Sequence, residues 1–322
     1  MLAHSRFNYR FVFAAVLVAL GCKPASMASP IPLAERRLPS AVLADTLFWH
    51  TLHAGAYDSI PRAMFALKAA YLQNPADAQT AAHVAFLHAW RVAERSRLAQ
   101  TTPSITDEVI LARRYFDISL AHAPTPDARI LGFDADFRMF EADIQHDPAL
   151  FSDGLRRGRE AIVAWPEFNW FTVGYALSTK PDTSVFFREG LEMQWQTVDA
   201  CGKTTVSREN PTAESALSVL RTEADPRRLR ACKNTWIAPH NMEGFFLNMG
   251  DMVVKSGDWR AAQKVYTLAK GVDAYSEWPF REVLETRIRE AEHNVPLFRA
   301  ENGPIMFRSK FACSACHQTA LK

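Results

Sequence analysis

Residues 246–269, FLNMGDMVVKSGDWRAAQKVYTLA, place Gly250, Gly257, Ala262, Tyr266 and Ala269 at successive spacings of 7, 5, 4 and 3. Around this stretch the apolar residues recur at helical spacing. Ile130, Phe133, Phe137, Phe140 and Ile144, for example, are interleaved with Asp134, Arg138 and Glu141, the pattern of a helix with one buried face. No stretch alternates as a strand would. Clusters at Asn74-Pro75, Ala123 to Asp127, Asp147-Pro148 and Lys180-Pro181-Asp182 interrupt the pattern and divide it into about a dozen helices.

The 246–269 stretch resembles the tetratricopeptide repeat, whose small residues let two antiparallel helices approach closely while an aromatic fills the gap. The second-helix part of that signature returns as Ala63, Leu67, Ala70 and Pro75, as Ala112, Phe116, Ser119 and Pro124, and more weakly as Gly154, Gly158, Ala161 and Pro166. These copies lie 49 and 42 residues apart, wider than the family's repeat of about 34. The resemblance implies an all-α, degenerate tetratricopeptide-like helical repeat array over residues 41–295. The competing expectation is a generic helical bundle in which small residues happen to line the contacts. In either case the core consists of helix faces stacked on helix faces.

The composition, 48% hydrophobic and 22% charged over 322 residues, is that of an ordinary folded protein. Lys and Arg number 37 against 35 acidic residues, and setting aside Arg6 and Arg10 of the N-terminal segment leaves 35 against 35. Nothing in that balance calls for nucleic acid. The N-terminus carries a short basic region and then an apolar run from Phe11 to Leu20. That run is shorter than the about 20 residues of a membrane span and fits a secretory signal peptide over 1–21. Ala19-Leu20-Gly21-Cys22 resembles the lipobox of bacterial lipoproteins, although Ala stands where that family usually has Leu. The resemblance implies acylation of Cys22 and a lipid-anchored protein on the periplasmic side of a bacterial membrane; a plain cleaved signal is the alternative. Residues 22–40, with several prolines and hydroxyl residues, read as a tether.

An oxidising compartment permits disulfides. Cys201 and Cys232 flank a polar segment and are expected to pair, stabilising by about 3–4 kcal/mol in the chain-entropy picture; two unpaired buried thiols are the alternative. Cys313, Cys316 and His317 form C-x-x-C-H, followed by five residues. This spacing is that of haem c attachment, in which both sulfurs bond vinyl groups of one covalently held porphyrin and His317 is the proximal iron ligand. The segment 296–322 is therefore the haem-attachment segment. Within it GPIMFRSKFACSACHQ resembles the first helix of class I c-type cytochromes, through Gly303, Ile305, Phe307 and Phe311. The downstream part that supplies that family's distal Met has no counterpart here. A vestigial Cys313–Cys316 disulfide, a zinc site and a dithiol redox site are the rival readings.

If haem is bound, Met306 and His240 are the distal candidates, with His293, Met242, Met249 and Met252 behind them. Met306 precedes Cys313 by seven residues, which puts both on one face if the segment is helical. His240 is more simply a hydrogen-bonded residue at a helix start, and the methionines more simply pack a core. Glu290 with His293, and Asp143 with His146, have a di-iron spacing but sit where helices should end, beside Pro296 and Pro148. No phosphate loop, nucleophile elbow or HExxH is present.

The expectation is an exported c-type haem protein of electron transfer, with a redox partner protein, or a peptide held by the repeat surface, as its partner. A haem-free scaffold lipoprotein is the alternative. An open-iron enzyme ranks below both, since no acid or base is identifiable. Arg308, Lys310 and Lys322 would give the haem edge a weakly basic rim or simply solubilise a free tail.

Overall fold

The computed structural model describes residues 37–319, and within them there are fifteen α-helices and no strand. The signal peptide, Cys22 and most of the tether lie outside the described residues. The first described helix includes residues before Ala41: α1 (Pro39–His53) begins at a proline in its first turn, and Arg37 pairs with Asp45 and, at 2.9 Å, with Asp77. No helix of the described residues is long and apolar enough to cross a membrane.

The helices that follow are α2 (Ile60–Gln73), α3 (Ala78–Ala93), α4 (Ile105–His122), α5 (Ala128–Gln145), α6 (Pro148–Ala164), α7 (Pro166–Leu177) and α8 (Val185–Gly202). Then come two short ones, α9 (Ala213–Leu217) and α10 (Pro226–Cys232), and the series closes with α11 (Asn241–Ser256), α12 (Trp259–Leu268), α13 (Arg281–Arg289), α14 (Ala291–Arg299) and α15 (Ser314–His317). The punctuation residues work as helix starts. Asp77, Asp127, Asp147, Ser184 and Asp258 each accept a hydrogen bond from a first-turn amide of α3, α5, α6, α8 and α12, satisfying donors that have no partner inside the helix. Proline opens α6, α7 and α10, where its missing N–H costs nothing.

Consecutive helices pack in pairs: α1 with α2, α3 with α4, α5 with α6, α7 with α8, and α11 with α12. The small residues mark the closest approaches. Gly154 of α6 lies against Met139 and the carbonyl of Ala135 on α5, and Gly174 of α7 lies against Gly190 of α8. A β-carbon on Gly250 would fall 2.1 Å from the ring of Tyr266, which is fully buried and donates its hydroxyl to Asp251 at 2.6 Å. A disulfide ties the end of α8 to the end of α10: Cys201, one residue before the last of α8, is joined to Cys232, the last residue of α10, with Cα atoms 5.5 Å apart.

Two expectations for the C-terminal part are corrected. Helix α14 runs through Pro296 instead of ending before it. Pro296 and Glu292 are both exposed, so the carbonyl deprived of its N–H partner faces water. Residues 303–312 are not a continuous helix either: only Met306–Arg308 form a 3-10 turn, and Ser309 is extended. Nor is this a free tail. Ile305, Met306, Phe307 and Ala312 are buried in the main core, and the Phe307 ring packs tilted against Phe140 of α5 and edge-on against Tyr175 of α7, at 4.8 and 5.3 Å between ring centres.

Two outcomes are expected. Gly250→Ala should destabilise the fold by about 1–3 kcal/mol, because the pinned Tyr266 ring has nowhere to move; unchanged chemical denaturation would count against this packing. Asp136 of α5 is buried with Oδ1 unpartnered, and burial, with Asp134 beside it, pushes its carboxyl well above the usual range. The native state then holds a proton that the unfolded chain releases, so this group's contribution is full below the ordinary carboxylate range and is lost as pH rises through its raised native value. Melting temperature against pH should flatten in Asp136→Asn.

Candidate functional site

The motif helix α15 is held at its N-terminus by a residue 220 positions away. Glu94, at the C-terminal end of α3 and fully buried, accepts hydrogen bonds from the amides of Cys313 and Ser314 at 2.9 and 2.7 Å and from the Ser314 hydroxyl at 3.2 Å. Burial pushes its carboxyl up, against the opposing pull of Arg97 and the Ser314 amide. Arg97 approaches Glu94 at 2.7 Å and also donates to the Lys310 carbonyl and the Ser314 hydroxyl, at 2.7 and 3.0 Å. Farther along, the Trp278 indole donates to the Ala315 carbonyl at 2.8 Å, the His240 amide to the Cys316 carbonyl at 3.0 Å, and the Thr319 amide to the His53 carbonyl at 2.9 Å. Gly244 of α11 makes room for Cys316, whose sulfur would lie 2.3 Å from any β-carbon there.

Docked this way, Cys313, Cys316 and His317 all reach the wall of one cavity of about 550 Å³, within the roughly 300–1,000 Å³ usual for cofactor sites. Its walls are largely aromatic, from Phe48, Phe86, Trp90, Phe133, Phe171 and Phe245, with a polar end at Asp127, Arg129, Glu167 and Arg230. Neither thiol is in a disulfide. Burial raises both, Cys316 to about 12, so they are neutral thiols. His317 is lowered to about 4, by burial first, and its Nδ1 lies 2.8 Å from the Ile237 carbonyl. A carbonyl only accepts, so Nδ1 carries the proton and Nε2 of the neutral ring keeps its lone pair.

Arg230 is the odd member of the lining. Its Nε is buried without a hydrogen-bond partner and its guanidinium lies 5.6 Å from the ring centre of Phe168. Burial, with Arg129 nearby, lowers it to about 10. Arg129 is already committed to Asp127.

Met306 and His240 do not line this cavity. Without a helix between residues 306 and 313, Met306 points into the core, 1% exposed. His240 precedes α11 and places Nδ1 3.2 Å from Glu243. Met249 and Met252 are core residues, Met242 reaches the cavity wall, and His293 is exposed. His146 closes α5 in a left-handed conformation and Asp143 pairs with Lys180. Among the described residues no group of three or more His, Cys, Asp or Glu is arranged to hold a metal ion. Sequence reading missed His83, Arg230 and Glu94; each owes its place to a partner far along the chain, and no local pattern marks them.

No family model, curated protein or solved structure matches this chain.

The docking makes a prediction. Glu94→Ala would strand two buried amides, a loss of about 1–3 kcal/mol, and should raise hydrogen exchange across residues 311–318 well above that of α5. Glu94→Gln, which can still accept, should do less. Equal protection in all three proteins would remove Glu94 from this role.

Proposed function

We propose that this chain is an exported c-type haem protein that transfers electrons: a degenerate tetratricopeptide-like helical array, lipid-anchored through Cys22, carrying one covalent haem on its C-terminal segment. The observation that carries this reading is the placement of all three residues of C-x-x-C-H on the wall of a single aromatic cavity. The donor set fits the group. Two neutral, unpaired thiols stand at thioether spacing, and His317 offers Nε2 while its other nitrogen is tied to the Ile237 carbonyl, the arrangement that orients a metal-ligating histidine. Arg230, whose Nε has no hydrogen-bond partner, supplies a cation to the cavity lining, suited to a carboxylate on an otherwise apolar ligand.

Bound there, haem supplies a one-electron iron couple. The chain's part is to fix and tune it. Cys313 and Cys316 would hold the group covalently, His317 would ligate it, the aromatic residues would shield it from water, and Arg230 would offset negative charge on it. A redox partner protein would meet the exposed edge.

Expressed with haem-attachment machinery, denatured and stripped of free haem, the purified protein should keep its porphyrin absorbance and the corresponding added mass. Cys313→Ala/Cys316→Ala should lose both. A colourless wild-type protein under these conditions would leave only the haem-free scaffold.

A further inference from the structure

A second histidine lines the cavity that holds Cys313, Cys316 and His317. His83 lies in the middle of α3 with 6% of its surface exposed, and it lines the same cavity as Cys313, Cys316 and His317. Its Nδ1 is 2.7 Å from Oδ1 of Asp45 on α1. The other carboxylate oxygen of Asp45 is taken by Arg37 and by Gln79, the latter at 3.0 Å. Phe48 stacks on the imidazole at 4.2 Å between ring centres with the planes only 7° apart, and Trp49 meets it edge-on at 5.6 Å. The ring is thus fixed in position and rotation.

With all of that, Nε2 has no hydrogen-bond partner among the described residues. A carboxylate only accepts, so the proton of a neutral His83 sits on Nδ1 and the lone pair on Nε2. A histidine pinned by a carboxylate on one nitrogen and free on the other is the usual form of an orientated metal ligand. No group of three or more His, Cys, Asp or Glu among the described residues closes a protein-only metal site around it, so a metal held by His83 would be one that a bound cofactor carries.

We infer that His83 would be the second protein ligand to the iron of a haem bound in this cavity, with Asp45 as its positioning residue. This rests on the haem reading above and names what that reading left open. Other donors on the wall are Met242 and the carboxylates of Asp127 and Glu167; the carboxylates are paired with Arg129 and Arg228, and Met242 belongs to α11, the helix whose Gly244 cradles Cys316. His83 comes from a different helix and is held from two sides.

The test is made on the full mature protein carrying haem. Covalent attachment is read from haem retained after denaturation, and ligation separately from the absorption and electron paramagnetic resonance spectra of the native protein. Wild type should be six-coordinate and low-spin in both oxidation states. His83→Ala should retain haem yet become high-spin, bind carbon monoxide within mixing time when reduced, and return to low spin with added imidazole. His83→Met, which fills the space better, guards against misfolding and should exchange nitrogen ligation for thioether ligation. Met242→Leu should leave the spectrum unchanged. Asp45→Asn should stay low-spin with a raised reduction potential, since the ligand loses its anionic hydrogen-bond partner. A high-spin wild type, or a His83→Ala spectrum identical to wild type in protein that retains haem, overturns the ligation while leaving the haem in place. Loss of low spin in Met242→Leu alone would overturn it in favour of the sulfur.

Discussion

A buried carboxylate of the third helix receives the helix that carries the C-x-x-C-H motif. Glu94 closes α3, and its oxygens take the amides that open α15. Helix starts expose unpaired N–H groups and carry partial positive charge, so a carboxylate is the natural stopper. The usual stopper is a neighbour in sequence; here it comes from another layer of the fold, and Arg97 keeps its charge compensated. Were Glu94 absent, the amides of Cys313 and Ser314 would lose their acceptor, and the motif helix would be left with its other contacts, from Trp278, His240 and Arg97.

The cavity follows from that docking. Helix α3 presents Gln79, Ala82, His83, Phe86, Ala89 and Trp90 to it, a stripe at helical spacing, while α1 and α11 supply other walls and α15 supplies the sulfurs and the imidazole. Small side chains at Ala82 and Ala89 leave the volume and the aromatics bound it. An apolar space of this size would ordinarily collapse or be packed in a folded core. Two features of this space support the haem proposal: aromatic rings among its walls and the unpartnered Nε of Arg230 in its lining.

Much of the fold was readable from periodicity and punctuation. The Asp and Pro clusters became caps and first turns, and Gly250, Gly154 and Gly158 lie at close helix approaches, because these effects act over a few residues. The three motif residues were readable for the same reason. What misled was the extension of helical spacing to residues 303–312, where Gly303 packs against backbone of α14 and burial of Ile305, Met306 and Phe307 sets the path of the chain instead of local propensity. Glu94, Arg230 and His83 could not be found, since each gets its meaning from contacts tens to hundreds of residues away.

Helix α3 shows how far placement, and not residue type, decides such roles. It bears two histidines, each with Nδ1 against a carboxylate from a neighbouring helix: His83 with Asp45 and His88 with Glu108. Five positions apart, they point about 140° from one another around the axis. His88 faces α4 next to the ring of Tyr115, with Nε2 sealed in protein and 2% of the residue exposed, so no ligand can reach it and burial lowers its affinity for a proton. His83 faces the cavity. The same pair of groups thus cements two helices at one position and presents a free nitrogen at the other, and only the angle between them on the helix separates the two outcomes.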